Sequence, residues 1–282
     1  MKTHILAAAL TLATTTAFAA GRDFDRTLNV SASPSVSVST GAGYIHIHPG
    51  SDNQVHIVGH VHPSNSWFSG NSDSRVQQIV SNPPISQAGN AITIGDKHSG
   101  ELYRNIGIDY EVTLPGTSTI YAGTGSGDID IQDAGTTLKA ESGSGTVRAH
   151  GVHGPADLQT GSGNIDFQQA AAGDVRAQTG SGSIQLNGIS GGLKAGTGSG
   201  NIDISGQPTS DWKLDTGSGS IQLTLGPSAR YTLNASTGSG SVHTDQPIAM
   251  QGEINRHHIT GTVNGGGPTI RANTGSGNID IK

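Results

Sequence analysis

Cysteine is absent from the 282-residue chain. Disulfides, thiolate metal sites and lipid attachment through an N-terminal cysteine are therefore excluded. Large side chains are nearly as scarce, with four Phe, two Trp and two Met, and aromatics at 4%. So few cannot fill a thick globular core. Hydrophobic residues reach 32%, below the roughly 45–50% of ordinary globular domains. A clustered basic excess is also lacking, since 15 Lys and Arg stand against 21 Asp and Glu. That balance argues against nucleic acid as a partner. No apolar stretch approaches the ~20 residues of a membrane-spanning helix.

Glycine is abundant instead, at 43 residues. It follows no three-residue period, which excludes collagen. At the start, Lys2 precedes an apolar run from Ile5 to Ala13, and Ala17-Phe18-Ala19 supplies a small–x–small cleavage pattern. Residues 1–19 are therefore expected to be a signal peptide, which places the protein in the periplasm or at the cell surface.

One octad dominates the C-terminal half. It reads TGSGDIDI at 124–131, SGSGTVRA at 142–149, TGSGNIDF at 160–167 and TGSGSIQL at 179–186. It continues as TGSGNIDI at 197–204, TGSGSIQL at 216–223, TGSGSVHT at 237–244 and TGSGNIDI at 274–281, with a weaker TGAGYIHI at 40–47. Successive starts are 18, 18, 19, 18, 19, 21 and 37 residues apart. Before each octad Leu193, Ala195, Thr197 and Ser199 share one parity, and after it Ile202 and Ile204 share the other. A one-residue parity change at glycine marks a corner, because glycine turns without a Cβ clash. A flexible Gly/Ser linker would lack the apolar pair that recurs at one offset.

The pattern predicts an all-β, parallel β-solenoid (β-helix-like) with ~18–19-residue coils stacked about 4.7–4.9 Å apart. Eight or nine coils are expected, around a thin interior of Ile, Leu, Ala, Thr and Ser. The 37-residue interval predicts one degenerate coil, with Ile259-Thr260-Gly261-Thr262-Val263 as its remnant. The last octad ends one residue before Lys282, so that end is expected to carry no cap and to be blunted by Lys282 or a partner.

Residues 20–115 depart from the period and are expected to form an N-terminal β-rich cap with irregular first coils, leaving 116–282 as the repetitive solenoid. Tyr44–His48 and Val55–Val58 alternate on either side of a Pro-Gly turn and read as a hairpin. Val76, Ile79 and Val80 lie at helical spacing after Asp73 or Ser74 and before Pro83-Pro84, which predicts a short helix. Ala91–Ile94 and Ile106–Leu114 read as strands.

Together with the export signal, GAGYIHIHPG at 41–50, IDYEVTLPG at 108–116 and the iterated L-K-A-x-T-G-S-G-x-I-D-I unit resemble a large bacterial family of unknown function labelled "putative adhesin". The resemblance covers roughly residues 30–282. It implies an exported β-solenoid without transferable catalytic residues; fold alone does not establish function.

Three residue patterns carry candidate chemistry. His46, His48, His56, His60 and His62 recur at i, i+2 spacing on two alternating runs; imidazoles so placed could hold Zn²⁺, Cu²⁺ or Ni²⁺, or simply be a solvated His-rich face. An outward column places Asp130, Asp166, Asp203 and Asp280 with Arg148, Gln185, Gln222 and His243 at equivalent positions. Calcium rolls place Asp two residues after glycine, within the turn; here it falls three after and inside a strand. A basic column, Lys139, Arg176, Lys194, Lys213 and Arg271, stands three residues before each octad and could bind an anionic polysaccharide or a lipopolysaccharide phosphate, or serve as a solubilising edge. Gly188-Ile189-Ser190-Gly191-Gly192 matches G-x-S-x-G but lacks the strand-to-helix setting of a nucleophile elbow.

The residues thus predict an exported, non-enzymatic, adhesin-like solenoid for envelope display or binding, with envelope glycans or another protein as partners. The second reading is a periplasmic metal-binding module using the N-terminal histidines. A third is a glycan-active β-helix enzyme.

Overall fold

The computed structural model describes residues 22–64, 72–95, 101–250 and 255–282. The expected signal peptide lies outside them. The chain begins with β1 (Asp23–Asn29), β2 (Ser35–Ala42), β3 (Ile45–Pro49) and β4 (Gln54–Pro63). Helix α1 (Ser72–Ser81) follows, then β5 (Ile85–Ala88), β6 (Ala91–Ile94) and β7 (Ile106–Leu114). The middle holds β8 (Thr119–Ser126), β9 (Ile129–Gln132), β10 (Thr137–Ser144), β11 (Val147–Val152), β12 (Ala156–Thr160) and β13 (Ile165–Gln169). Next come β14 (Val175–Ser181), β15 (Ile184–Ser199), β16 (Ile202–Ser218) and β17 (Ile221–Leu225). The last elements are β18 (Tyr231–Ser239), β19 (Val242–Thr244), β20 (Ile248–Met250), β21 (His258–Val263), β22 (Thr269–Ser276) and β23 (Ile279–Ile281).

The architecture is the expected parallel β-solenoid. Each rung has a leading strand before the glycine corner and a trailing strand after it, both paired in parallel with their counterparts above and below. Alternate residues of both strands face inward. In one rung Leu193, Ala195, Thr197, Ile202 and Ile204 are all buried. Each large aliphatic side chain buried this way contributes about 1.5–3 kcal/mol, so a thin interior repeated along the stack suffices. Trp212, the bulkiest interior side chain, donates its indole N–H to the Gly191 carbonyl at 2.9 Å.

Two hydrogen-bond ladders explain the octad. Its first residue, Thr or Ser, donates to the carbonyl of the second octad glycine one rung away: Thr160 to Gly145, Thr179 to Gly163, Thr197 to Gly182 and Thr216 to Gly200, at 2.8–3.0 Å. The inward hydroxyl is thereby satisfied, as a buried polar group must be. The fifth residue accepts from the next rung's backbone, as Asn164 does from the Ser183 amide and Asn201 from the Ser220 amide, both at 2.9 Å. Glycine is obligatory at the corner. Gly200 has φ +155°, and a Cβ there would drive into the Gly182 carbonyl. The octad's third residue differs from expectation: Ser199 and Ser218 are exposed, because the corner begins immediately after the buried Thr and turns them outward.

Chain order and stacking order part at both ends. The β2/β3 rung lies between β6/β7 and β8/β9. At the other end β22/β23 is inserted between the second half of β16 with β17 and the β18/β19 rung. Among the described residues ten rungs result, from β6/β7 to β18/β19, about 45 Å long at the usual strand spacing. The first step across a rung is Pro115-Gly116-Thr117-Ser118, anchored by Thr119 N–H to the Pro34 carbonyl at 2.9 Å. The second is Asn264-Gly265-Gly266-Gly267-Pro268. There Asn264, Gly265 and Gly266 have φ of 51°, 85° and 82°, and Asn264 Nδ2 donates to the Ala229 carbonyl at 2.9 Å. These glycines let the chain pass from one side of β18 to the other.

Three expectations are corrected. Tyr44–His48 and Val55–Val58 do not form a hairpin: β7 lies between β3 and β4, parallel to the first and antiparallel to the second. Residues 259–263 are not a degenerate coil. They belong to β21, which runs antiparallel to β18 and pairs with β20, so the 37-residue interval holds an excursion to the end of the stack and back. The rung ending at Ile281 is therefore internal. That end is covered by β20, β21 and the Asn255–His257 segment, whose Arg256 carbonyl accepts from Val242 at 2.8 Å. At the opposite end β5 runs antiparallel to β6, β4 antiparallel to β7 and β1 antiparallel to β4. Helix α1 packs there through buried Val76 and Ile79.

Candidate functional site

The straight stacking of rungs turns single side chains into columns on the two outer faces. On the face of the leading strands, one column runs Tyr121, Lys139, Asp157, Arg176, Lys194, Lys213, Arg271 and Asn234. Four of the five basic residues expected to align are thus consecutive, and Asp157 separates them from Lys139. In chain order Asn234 would follow Lys213; insertion of the β22/β23 rung puts Arg271 there instead. The next outward column, two residues along, holds Glu141, Gln159, Gln178, Gly196, Asp215 and Asn273. Sequence reasoning missed these amides, although their constant offset from the basic position was available to it.

The cations differ in company. Lys139 Nζ lies 2.9 Å from Glu141 and 5.5 Å from the Tyr121 ring centre. The hydrogen bond to Glu141 raises the Lys139 pKa above its ordinary value, and burial with that same carboxylate raises the Tyr121 phenol. Arg176 donates to Gln178 Oε1 at 2.6 Å and stands 3.8 Å from Asp157. Lys213 is 3.6 Å from Asp215. Among the described residues no carboxylate lies within ion-pair distance of Lys194 or Arg271. Both are exposed. Two shallow depressions flank the column. One, of about 520 Å³, is lined by Pro155, Ala156, Val175 and Leu193 with Lys139, Arg176 and Lys194, and also by Asp157 and Asp174. The other, of about 650 Å³, has Gly143, Gly161 and Gly180 along it with Glu141, Gln159 and Gln178.

The trailing-strand face carries the acidic column. Its stack order is Glu111, His46, Asp130, Arg148, Asp166, Gln185, Asp203, Gln222, Asp280 and His243. Acidic and non-acidic residues alternate at every step. Here too the inserted rung matters, since Asp280 falls between Gln222 and His243. Stacked like charges, which destabilise a sheet, are avoided throughout.

The five N-terminal histidines do not converge. β7 separates His46 and His48 from His56, His60 and His62, so the two groups stand two strand spacings apart, about 9–10 Å. Carboxylates flank the β4 histidines on both sides, Asp25 and Asp23 from β1 and Asp109 from β7. His56 Nε2 is 2.9 Å from Asp25, His60 Nδ1 3.0 Å from Asp23, and His62 Nε2 3.2 Å from Asp109. His46 lies against Tyr44 with ring centres 4.5 Å apart. Among the described residues no group of three or more His, Asp or Glu side chains is placed to hold a metal ion. Ser190 of the G-x-S-x-G run sits within β15, its amide donating to Gln169 Oε1 at 2.8 Å, with no strand-to-helix turn.

Solved structures resemble this chain in outline. A "putative adhesin" from Bacteroides fragilis is 13% identical, with 92% of this chain and 97% of that chain covered at a TM-score of 0.40. A "putative adhesin" from Parabacteroides merdae is 10% identical over 93% and 97%, TM-score 0.32. A "putative cell adhesion protein" from Clostridium sporogenes is 13% identical over 92% and 100%, TM-score 0.24. No curated protein matches in sequence. The sequence pattern of the Toastrack DUF4097 family matches residues 35–282. Rungs, corners and the two terminal insertions all fall within that match, and the chain belongs to the Toastrack DUF4097 family.

Proposed function

We propose that the protein is exported and works as a non-catalytic, adhesin-like scaffold of the cell envelope, binding glycans or proteins along its flat outer faces. The observation that carries this reading is the register. Interior positions are filled by small and aliphatic side chains, while the outer positions form straight, exposed columns over many rungs. Such a surface suits an extended ligand better than a small substrate, whose sites are concave and largely enclosed. Among the described residues, Tyr121 and Lys139 are shifted together around Glu141, whereas Tyr44, Tyr110 and Tyr231 are shifted chiefly by burial, Tyr231 at the opposite end of the stack. Among the described residues no helix is long and apolar enough to cross a membrane. Export is supported by Lys2, the apolar run and Ala17-Phe18-Ala19.

The test joins a glycan array and envelope-fraction binding to a turnover assay on every glycan retained. Binding without cleavage is expected, by a protein recovered outside the cytoplasm without residues 1–19. Cleavage of a bound glycan, or retention of no ligand at all, would overturn the reading.

A further inference from the structure

Arg176, Lys194, Lys213 and Arg271 stack in register on four adjacent rungs, about 4.8 Å apart. Like charges directly opposite one another destabilise a sheet, and the trailing-strand face shows that this chain can avoid them by alternation. The leading-strand face does the reverse. The out-of-order insertion of β22 even replaces Asn234 by Arg271 beside Lys213. Stacked positive charge that Asp157 and Asp215 balance only in part suits an anionic counterpart with the same repeat.

We propose that this column binds a linear polyuronate, a polysaccharide with carboxylates recurring along an extended chain laid parallel to the solenoid axis. The inference rests on the envelope-binding reading above and names the ligand class of that surface. A pyranose chain advances per sugar by a length comparable to the rung spacing, so a uronate chain laid along the column brings carboxylates within reach of several cations at once. Lys194 and Arg271 carry no carboxylate partner among the described residues. Arg176 and Lys213 have only solvent-exposed ones, which cost little to exchange. The neighbouring column offers sugar hydroxyls the Gln178 amide N–H, the bare backbone at Gly196 and the Asp215 carboxylate as acceptor, while the Asn273 amide is held by Asp215 and Ser236. The depression edged by exposed Pro155 offers an apolar shelf to a ring face, with Asp157 and Asp174 at its margin. Asp157 closes the column at one end and Asn234 at the other, which limits full contact to about four uronates. An isolated phosphate would engage one or two rungs; a polymer engages all four.

The test uses the full chain with its signal peptide removed by export. Polygalacturonate and polymannuronate are titrated by calorimetry at low and high salt, with dextran, heparin and duplex DNA as comparisons. Polyuronate should bind, dextran should not, and affinity should climb with oligomer length up to about four sugars and then level. The double variant Lys194→Gln, Arg271→Gln should lose at least tenfold in affinity, whereas Arg148→Gln on the opposite face should change it less than twofold. A second readout guards against misfolding. The double variant should melt no lower than the parent, because stacked charge has been relieved, and polyuronate should raise the melting temperature of the parent alone. Absence of polyuronate binding, equal binding of heparin or DNA, or a response flat in oligomer length would each overturn the inference. If another array ligand is still retained, the envelope-binding reading survives that failure; if none is, both fall.

Discussion

Between Thr119 and Leu225 every rung lies on its predecessor in the chain, whereas at the N-terminal end the chain steps over a rung already laid and at the C-terminal end it skips a position and returns to fill it. The hydrogen bonds do not register the difference. Thr274 donates to Gly219 and Thr237 to Gly277, each at 2.8 Å, as Thr197 does to Gly182 within the ordered middle. The octad therefore specifies how two rungs join and leaves open which two. Order is decided by the connections: short returns in the middle, and the Pro115–Ser118 and Asn264–Pro268 steps at the ends.

The sharpest way to break this comparison is to remove residues 268–282. In a solenoid stacked strictly in chain order this would strip a single terminal rung. Here it takes the shared neighbour of β16/β17 and β18/β19, and we expect amide-exchange protection to vanish from 231–263 as well. The loss of stability should be upwards of ~5 kcal/mol, beyond the usual reach of a point substitution. Persistent protection of 231–263 would mean that the rungs simply close up.

Corner substitutions come next. Gly200→Val in the middle and Gly277→Val in the inserted rung both force a side chain into the carbonyl of the neighbouring rung at positive φ. Each should cost about 3–5 kcal/mol in urea denaturation. A tolerated Gly277→Val would show the inserted rung to be loosely stacked.

Alkaline titration separates ends from middle more gently. Tyr110 in the first rung and Tyr231 in the last are both fully buried. Burial pushes the Tyr231 phenol up to about 12 and that of Tyr110 still higher. An unfolded tyrosine ionises near 10, so the unfolded state loses protons first as pH rises. The tyrosines' contribution is complete below pH ~10. It then declines by about 1.4 kcal/mol per pH unit for each tyrosine as pH climbs toward 12. Tyr231→Phe should flatten that slope and keep the β18 rung protected at high pH; an unchanged slope would sink the assignment.

The smallest effect is expected from Thr197→Val and Thr274→Val. Each removes one ladder hydrogen bond while preserving shape, at about 1 kcal/mol. Equal losses at the two positions would sustain the equivalence of ordered and inserted rungs, and a loss confined to Thr197→Val would break it.

The solenoid itself was legible because its determinants are local: a glycine corner, a parity change and an Ile-x-Ile pair all lie within eight residues. The basic and acidic columns followed from the same offsets. Stack order was not legible. It depends on pairings between residues far apart in the chain, such as Leu233 with Ile270 and Ile45 with Tyr110, and octads so alike cannot specify which copy lies beside which. The histidines were misplaced for a related reason. Two alternating runs around a Pro-Gly turn look like a hairpin until a distant strand, β7, takes the edge between them. The Asn264–Pro268 run was the one local signal of the C-terminal step; three consecutive glycines between an asparagine and a proline fit a tight crossing better than the end of an ordinary coil.

The paired crossings have a consequence for how such a molecule can change in length. Each end is a closed clasp in which a later or earlier segment is tucked beneath the outermost layer, so material cannot be appended there without undoing the clasp. New units of eighteen or nineteen residues can enter only in the ordered middle, where one more copy meets the same carbonyls and amides as the copy it displaces. Duplication would thus lengthen the rod, and with it the reach of its charged stripes, while both clasps stay as they are.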